Sequence, residues 1–355
     1  MTHLMPPTRK AASVWFTQGF SSQRDLILAL KQSSLHPQVN TIASHRQARD
    51  EILSVADQAI LEPLTEYPQF VLQQALAQQV SVVLVAHRNA RYEQHRAAFE
   101  QQGIVLLTGT RGESAHALLD DKFAFTQRCQ ATGIPVVAAQ RVTNADELQA
   151  AITQLEPQHR VCVKPVTGVF AQGFWQLDRD IDYFYSLLNP SEYKANTQQF
   201  IDAYARQAEP LAYLVMPFMA GDECSVDMFC VRGQVVAQVT RIKKLHWQDV
   251  LPLGPCDDMA RQLAQCFELD GIVNAQFRQD DVTGQWYTLE VNTRPSGGIG
   301  ITLPSGINLA AECVAYHTGL DLQRSIPVTA RVRSVGQAVV VEPNVYGAGA
   351  VEAML

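Results

Sequence analysis

Short apolar segments alternate with helix-like segments between residues 14 and 108, and this alternation limits the fold more than any other feature of the sequence. The apolar composition of the run VSVVLVAH at 80–87 predicts a strand that is buried on both faces. The first strand is predicted at SVWF (13–16) and the last within GIVLLTG (103–109). Four or five β–α units in about 95 residues indicate a small open α/β domain with a parallel sheet.

The composition is that of a chain with a sizeable buried core. Hydrophobic residues make up 47% and charged residues 18% of the 355 positions, which excludes a disordered chain. At roughly 100–200 residues per domain, this length predicts two or three domains. Lys and Arg number 28 against 35 Asp and Glu, so the net charge is −7. Because nonspecific nucleic-acid binding needs many cations on one face, we expect no nucleic-acid partner.

The sequence also bears on where the protein resides. The longest apolar run, VSVVLVA at 80–86, is far shorter than the roughly 20 residues of a membrane span. The N-terminal residues include two prolines and no apolar h-region, so we expect no signal peptide and no membrane partner. The cysteines number 7, and they include no C-x-x-C pair. This pattern favours reduced, mostly buried thiols in a cytoplasmic protein.

From residue 113 onward, strands and helices no longer alternate strictly, which predicts an α+β body. The segment 113–135 has the pattern of one helix closed by Thr-Gly and Pro. A polar stretch at 180–208 is predicted to be helical, and 212–244 is predicted to form three strands. The residues GIVNAQFRQ at 271–279 predict one further strand.

The segment TLEVNTRPSGG (288–298) carries the strongest chemical signal. On a strand, Glu290 and Asn292 point the same way and lie roughly 7 Å apart. Their carboxylate and amide oxygens suit Mg²⁺, which takes its remaining ligands from water and phosphate. Arg294 follows where the chain leaves the strand, and its planar guanidinium suits a phosphate or a carboxylate. An exposed polar strand end is the alternative interpretation.

The preceding strand strengthens this prediction. The residues NAQF and YTLEVN are typical of a hairpin joined across DDVTG. If Gln276 lies opposite Glu290, and Asn274 opposite Asn292, all four side chains share one face of the sheet. A slip of one residue would move one strand's set to the other face.

A second candidate group surrounds Lys164, at the end of the apolar strand VCVKP. A lone ammonium in that position suits a phosphate. The loop at 167–174 contains two glycines and can fold over a ligand, but it lacks the spacing of a phosphate-binding Walker loop. For Lys164, and equally for Lys122 in the helical segment LLDDKF, a solvated lysine is the alternative.

A third candidate is the link after the strand that ends at Pro217. Its backbone can offer N–H and C=O groups to an adenine edge, with the apolar Met216, Phe218 and Met219 around the ring. Glu223, just past the turn, is placed to hold ribose hydroxyls. The alternative is an ordinary hairpin with Met and Phe in the core.

A basic cluster in TRIKKLHWQ (240–248) stands out in an acidic protein. It predicts a site for an anionic or carboxylate substrate, with the tryptophan stacked on a planar group. A solvated loop is the alternative. The residues proposed as substrate contacts are Arg241, Lys243, His246 and Trp247.

The residues GFSS (19–22), after the first predicted strand, also allow two interpretations. They can present backbone N–H groups to an anion at a helix N-terminus, or they form a tight turn with a serine N-cap. They do not form the dinucleotide fingerprint, because no G-x-G-x-x-G follows the strand.

Taken in order and spacing, these motifs resemble the ATP-grasp superfamily, from about Lys122 to Gly319. They are most similar to the large subunit of carbamoyl phosphate synthetase, whose metal-binding strands resemble NAQF and LEVNTR here. The start VWFTQGFSSQRD, with IASHR at 42–46, is similar to the ATP-grasp proteins found with tellurium-resistance genes. The resemblance implies four segments: a Rossmann-like pre-ATP-grasp α/β domain at 1–112, the small lobe of an α+β ATP-grasp fold at 113–211, its C-terminal lobe with the metal and substrate site at 212–330, and a C-terminal strand and tail at 331–355.

The resemblance also implies roles for individual residues. Lys122 and Lys164 would contact the phosphates of ATP. Arg294 would contact the γ-phosphate and an acyl-phosphate intermediate, with Lys164 and Arg294 as the catalytic pair. Mg²⁺ or Mn²⁺ would be bound by Gln276, Glu290 and Asn292, and the adenosine by Met216, Pro217, Phe218, Met219 and Glu223.

Two features depart from the family pattern. Met216 stands where these proteins usually have Glu ahead of the adenine link, which puts one polar contact to the nucleotide in doubt. The loop at 167–174 has fewer glycines than typical phosphate-covering loops, which puts closure over the ligand in doubt.

The implied activity is ATP-dependent activation of a carboxylate as an acyl phosphate, followed by attack of an amine or similar nucleophile. The expected partners are a small-molecule carboxylate and a small-molecule amine, and a homodimer is considered as the oligomeric state. One alternative is an ATP-binding module without turnover in a stress-response assembly. Another is a carbamoyl-phosphate or carboxylase type of enzyme that uses bicarbonate.

Overall fold

A computed structural model describes residues 11–168 and 172–335 of the chain. Within these residues the chain forms two compact units. Unit 1 comprises Met1–His116, Cys224–Ala275 and Val291–Leu355, and unit 2 comprises Ala117–Glu223 and Gln276–Glu290. These limits do not coincide with the predicted boundaries at 112, 211 and 330, so the four-segment division stays a prediction. Residues 336–355, including the GAGA of the predicted tail, lie outside the described residues.

The first part of unit 1 is a five-stranded sheet in the order β3-β2-β1-β4-β5, and all of its strand pairs are parallel. The parallel sheet predicted from the alternating pattern is therefore present. The strands are β1 (Ala12–Phe16), β2 (Val39–His45), β3 (Gln58–Leu61), β4 (Val80–Leu84) and β5 (Val105–Leu107), and the helices are α1 (Ser22–Lys31), α2 (Asp50–Leu53), α3 (Tyr67–Ala77), α4 (Asn89–Glu93), α5 (Arg96–Gln101) and α6 (Glu113–Asp120).

Both faces of this sheet are buried, which explains why its strands are continuously apolar. Val14 and Phe16 of β1 pack into one core and Trp15 into another. Val82 and Val83 of β4 alternate between the two cores in the same way. Successive side chains of a strand point to opposite faces, so a strand between two cores needs apolar residues at both.

Unit 2 contains a five-stranded sheet in the order β6-β10-β7-β8-β9. Helices α8 and α10 cover one face through Leu148, Ile152 and Ile201, which pack with Val163 and Val215. The elements of unit 2 up to the end of β10 are α7 (Lys122–Ala131), β6 (Gln140–Val142), α8 (Ala145–Leu155), β7 (Val161–Pro165), β8 (Trp175–Asp178), α9 (Tyr185–Leu188), β9 (Lys194–Asn196), α10 (Thr197–Ala205) and β10 (Tyr213–Pro217).

The remaining strands form a six-stranded sheet in the order β15-β14-β11-β12-β13-β16. The chain passes from one unit to the other within three of these strands, namely β11, β14 and β15. The elements are β11 (Glu223–Val231), β12 (Gln234–Lys243), β13 (Gln248–Leu251), α11 (Asp257–Cys266), β14 (Gly271–Gln279), β15 (Trp286–Asn292), α12 (Leu309–Thr318) and β16 (Ala330–Val332), with 3₁₀ turns at His36–Gln38, Pro190–Glu192 and Ile299–Ser305.

The segment predicted as one helix at 113–135 is two helices, α6 and α7. Asp121 has extended backbone angles between them, and its carboxylate accepts hydrogen bonds from the N–H groups of Phe123 and Ala124, each at 2.9 Å. An aspartate that caps a new helix in this way competes with continuation of the previous one. Ser21 occupies the N-cap position of α1, but its hydroxyl makes no capping hydrogen bond.

The polar stretch predicted as helical at 180–208 is instead mixed, with α9, a 3₁₀ turn, β9 and α10. The strand at 175–178 was not predicted. The three strands predicted within 212–244 are present as β10, β11 and β12.

Two predictions from composition can be compared with the fold. All seven cysteines are free thiols, and six of them are buried. No helix in residues 11–168 or 172–335 is long and apolar enough to cross a membrane.

Candidate functional site

Unit 2 contains a cavity of about 420 Å³ on the sheet face opposite α8 and α10. The volume lies within the roughly 300–1,000 Å³ of small-molecule sites. Its walls come from β7, the end of β10, the loop after β7 and the paired strand ends at 276–290. One end is apolar and the other carries charged groups.

The apolar end is a small cluster on the open face of the sheet. Cys162 of β7 lies opposite Met216 of β10, and both are buried together with Val137. Phe218 and Leu289 pack against them and line the cavity. Burial raises the pKa of the Cys162 thiol to about 12, so it stays protonated and behaves as an apolar wall.

The backbone after β10 is oriented by two hydrogen bonds. The N–H of Phe218 donates to the carbonyl oxygen of Arg160 at 2.7 Å. Because a peptide group is planar and trans, the C=O of Pro217 points away from Arg160, and the thiol of Cys162 lies 3.8 Å from that oxygen. The C=O of Met219 accepts from Nε of Arg278 at 3.1 Å. The link therefore has a fixed edge of backbone polar groups beside the apolar end.

The charged end brings together four of the predicted site residues. Lys122, Lys164, Gln276 and Glu290 all line the cavity. Burial lowers the pKa of the Lys164 ammonium, and the nearby Glu290 carboxylate partly opposes this effect. Two cations and one carboxylate around one space are groups that could hold a polyanion with an accompanying metal ion.

Lys122 also organises the loop that follows β7. It is the first residue of α7, and its Nζ donates to the carbonyl oxygen of Gly168 at 2.8 Å. Further along the loop, Gly173 has φ +74°, and a Cβ there would lie 2.7 Å from Cγ of Pro165. Glycine is therefore required at this position for conformational and steric reasons. Residues 169–171 of the loop lie outside the described residues.

Glu223, predicted to hold ribose hydroxyls, also lines the cavity. Its carboxylate accepts from Nη1 of Arg278 at 3.3 Å. Sequence reasoning did not identify Arg278, although it follows Gln276 by two positions and a strand places such residues on one face. Gln176 was also missed as a lining residue, because the strand at 175–178 was not recognised, and Phe174 was included only as part of the loop at 167–174.

The other predicted residues lie in unit 1. Asn292 follows Glu290 by two positions on β15. The guanidinium carbon of Arg294 lies 5.2 Å from the ring centre of Phe20. Lys243 is half-buried at the end of β12, and His246 is exposed in the turn before β13. Trp247 carries the guanidinium of Arg331 over its ring at 4.6 Å.

The guanidinium of Arg241 is buried and bonded to neighbouring side chains. Its side chain is 3% exposed and its Nε donates to the Asp227 carboxylate at 2.7 Å. Nη1 donates to Gln248 at 2.9 Å and Nη2 to the Ser296 hydroxyl at 3.0 Å. Asn274 donates to the other Asp227 oxygen at 3.1 Å. Because all three nitrogens of the guanidinium have partners, we do not retain Arg241 as a substrate contact.

The described residues contain no group of three or more His, Cys, Asp or Glu side chains that could hold a metal ion. A site made of Glu290 and amide oxygens is of another kind, with one carboxylate. Mg²⁺ is often bound in this way, by one or two carboxylates plus phosphate and water.

Comparison with known proteins gives two kinds of likeness. Residues 209–338 match the family described as "ATP-grasp in the biosynthetic pathway with Ter operon". No curated protein matches the sequence. Solved structures match at low sequence identity over nearly the whole chain.

An ADP complex of N5-carboxyaminoimidazole ribonucleotide synthetase is 17% identical, with a TM-score of 0.64 over 91% of this chain and 81% of that one. The biotin carboxylase domain of 2-oxoglutarate carboxylase from Hydrogenobacter thermophilus, with MgADP and bicarbonate, is 16% identical, with a TM-score of 0.62 over 88% and 71%. The Staphylococcus aureus N5-carboxyaminoimidazole synthetase with ADP is 14% identical, with a TM-score of 0.62 over 91% and 80%. At these identities the likeness establishes the fold.

Proposed function

Because this chain has the ATP-grasp fold, we propose that it is an ATP- and Mg²⁺-dependent ligase that activates a carboxylate as an acyl phosphate for attack by an amine. The observation that carries the proposal is the cavity of unit 2, where an apolar slot adjoins two lysines and a carboxylate. Unit 2 thereby offers separate surfaces for a base, a sugar and a polyphosphate.

Adenine would lie between Met216, Phe218 and Leu289. The C=O of Pro217 would read one group on its edge, since the orientation of the link leaves this oxygen on the side away from Arg160, and the N–H of Met219 would read the next. These two backbone groups take over part of the recognition that a glutamate at position 216 would supply. Glu223, fixed by Arg278, would accept from the ribose hydroxyls.

Lys122 and Lys164 would hold the phosphates. Lys164 loses hydration through burial, which lowers its pKa, and a polyanion nearby restores a favourable environment for its charge. Gln276, Glu290 and Asn292 provide amide and carboxylate oxygens of the kind that Mg²⁺ or Mn²⁺ takes in a phosphate site. When bound, the metal would neutralise charge that develops on the phosphate oxygens.

The proposed reaction has two steps. An oxygen of the substrate carboxylate attacks the γ-phosphorus while the bond to the β–γ bridging oxygen breaks, giving an acyl phosphate and ADP. The amine nitrogen then attacks the acyl carbon, phosphate leaves with the shared electron pair, and the nitrogen releases a proton. Lys164 would hold the transferred phosphoryl group, since such a reaction asks the protein mainly for positioning and charge stabilisation, and the role of Arg294 stays a prediction from the sequence. Lys243, His246 and Trp247 stay proposed contacts for the substrates.

A second candidate is a carboxylase-type enzyme that uses bicarbonate as the acid. The likeness to a biotin carboxylase domain whose structure contains bicarbonate favours it. Bicarbonate would be phosphorylated by the same first step, so the two candidates differ only in the acid.

Calorimetric titration of ATP, with and without Mg²⁺, tests the nucleotide site. We expect Mg²⁺ to strengthen ATP binding to the wild type, and Glu290→Gln to weaken the Mg²⁺-dependent affinity by at least about 10-fold, since a metal ligand is lost. Glu209→Gln changes an exposed carboxylate of the same unit and should have no effect.

Turnover is then measured as ADP release with candidate acids, bicarbonate among them. Nucleotide binding without ADP release under any acid would favour the ATP-binding module that lacks turnover. Absence of ATP binding by the wild type, or equal binding by Glu290→Gln, would refute the site.

A further inference from the structure

A cluster of buried polar groups lies at the carboxyl edge of the parallel sheet of unit 1. The strand order of this sheet reverses between β1 and β4. In open α/β sheets, ligands bind at such a reversal, outside the carboxyl ends of the strands. The segments after β1 and β4 and the ends of β2 and β3 all lead to this edge.

Glu62, the residue after β3, is 4% exposed. Its Oε1 accepts from the Ser44 hydroxyl at 2.5 Å and from the N–H of Gln18 at 3.2 Å. Its Oε2 is buried and has no hydrogen-bond partner in the described chain. Burial raises the pKa of this carboxyl group, which the charges of Arg46 and Arg88 only partly counter.

Two buried tyrosines, Tyr67 and Tyr92, lie beside Glu62. The rings of Tyr67 and Tyr92 lie 5.6 Å apart and are buried. Among the described residues the Tyr67 hydroxyl finds no hydrogen-bond partner. Because an unpartnered buried polar group is costly, Oε2 of Glu62 and the Tyr67 hydroxyl together indicate that ordered water or a polar group of a ligand completes this edge.

Arginines surround the same place. The guanidinium carbons of Arg46 and Arg88 lie 5.5 and 5.7 Å from the ring centre of Tyr67. Arg294 lies over Phe20, whose ring meets the His87 ring edge-on at 5.4 Å. All three arginines act electrostatically on His87, and together with burial they lower its pKa.

The charge at this edge is unusual for the protein. The chain has a net charge of −7, yet three arginines act on His87 at this edge, which contains one buried carboxyl group. Arginine binds carboxylates through a planar pair of donors, and the Phe20 and His87 rings, which meet edge-on, add aromatic surface beside them. An anion with a planar group would relieve the mutual repulsion of the arginines.

We propose that this edge, formed by Arg46, Arg88, Arg294, Phe20 and His87, is the binding site for a planar organic acid. The inference deepens the proposed function, since it assigns the acid substrate to a class and to residues of unit 1. The buried hydroxyls and the Glu62 carboxyl form the inner end of the site, where a polar substituent of the acid or the water beside it is bound.

The test uses the full-length protein without ATP and measures ligand binding by calorimetry and by saturation-transfer NMR. The probes are benzoate, acetate and inorganic phosphate. We expect benzoate to bind more tightly than acetate or phosphate, and Arg46→Gln and Arg88→Gln each to weaken benzoate binding by about 10-fold through loss of charge-assisted hydrogen bonds. Arg91→Gln removes the same charge from the exposed face of α4 and should leave binding unchanged.

Phe20→Ala gives a second, independent arm. It should weaken benzoate binding and leave the weak binding of acetate unchanged. Phosphate binding as tight as that of benzoate, or equal losses in Arg88→Gln and Arg91→Gln, would overturn the proposal. Because ATP is absent, benzoate binding can persist when ATP binding fails, so failure of the nucleotide site and failure of this site are separate results.

Discussion

Replacing Arg241 by methionine should destabilise unit 1 strongly. Asp227 is 0% exposed, and the Arg241 guanidinium is its charged partner at 2.7 Å. The substitution keeps most of the side chain's length but leaves the Asp227 carboxylate with Asn274 and without a cation. Removing one partner of a buried ion pair costs about 3–5 kcal/mol, because the remaining charge stays out of water.

The expected change in melting temperature follows from the size of the unit. For a domain of 150–250 residues, each kcal/mol lowers the midpoint by about 2–4 °C, so Arg241→Met should lower it by about 6–20 °C. Differential scanning calorimetry at neutral pH measures this shift. Arg261→Met is the matched control, since Arg261 forms an exposed pair with Asp258. Such pairs contribute about 0–1 kcal/mol.

The double variant Arg241→Met with Asp227→Leu separates charge from packing. It removes both charges, so it should recover part of the stability lost in Arg241→Met. A loss in Arg241→Met no larger than that in Arg261→Met would refute the assignment of Arg241 as a buried structural cation. It would return Arg241 to the list of substrate contacts.

Two further results are expected. Gly109→Ala should destabilise the protein by more than about 2 kcal/mol in urea denaturation, because the glycine has φ +91° and a Cβ there would lie 2.1 Å from the Thr293 carbonyl oxygen. Gly103→Ala is the control for backbone strain alone, since Gly103 has φ +72° and open space around it. Equal losses of stability in the two variants would contradict the steric argument. The affinity for ATP should fall as pH rises through the pKa of Lys164, which burial lowers below the ordinary 10.5, because the ammonium charge is lost there. Lys164→Arg should remove this decline, and an unchanged profile in that variant would contradict the argument.

The strands that lead to the nucleotide cavity could be predicted because their patterns are local. β14 and β15 begin and end where the apolar runs GIVNAQFRQ and WYTLEVN begin and end. The parallel sheet of unit 1 was predictable for a similar reason, since strands between two cores are apolar throughout. The resemblance to the ATP-grasp superfamily, carried by the same strands, is confirmed by the fold.

Other elements depend on contacts that a local pattern does not contain. The strand at 175–178 has only four residues and pairs with β7 on one side and β9 on the other. The helix break at Asp121 depends on one side chain turning back to two N–H groups. The spacing of apolar residues predicts neither the strand pairing nor this cap.

The roles of charged residues were the hardest to predict. Arg241 belongs to a basic run and was assigned to a substrate site, but its partner is Asp227 on the neighbouring strand β11. Nothing in the run itself indicates that partner. Arg278, by contrast, was within reach of sequence reasoning, because it shares a strand face with Gln276.

The core of unit 1 has a consequence for how the protein is made. The parallel sheet is complete once Leu107 has been synthesised, yet its core also contains Leu309 and Val314 of α12, which packs with Val14 and Leu30. A ribosome that adds about 5–20 residues per second needs roughly 10–40 s to reach α12 after that sheet has emerged. During that interval an apolar face of the nascent sheet is exposed, so we expect chaperone binding during translation to concentrate there and to end when α12 emerges.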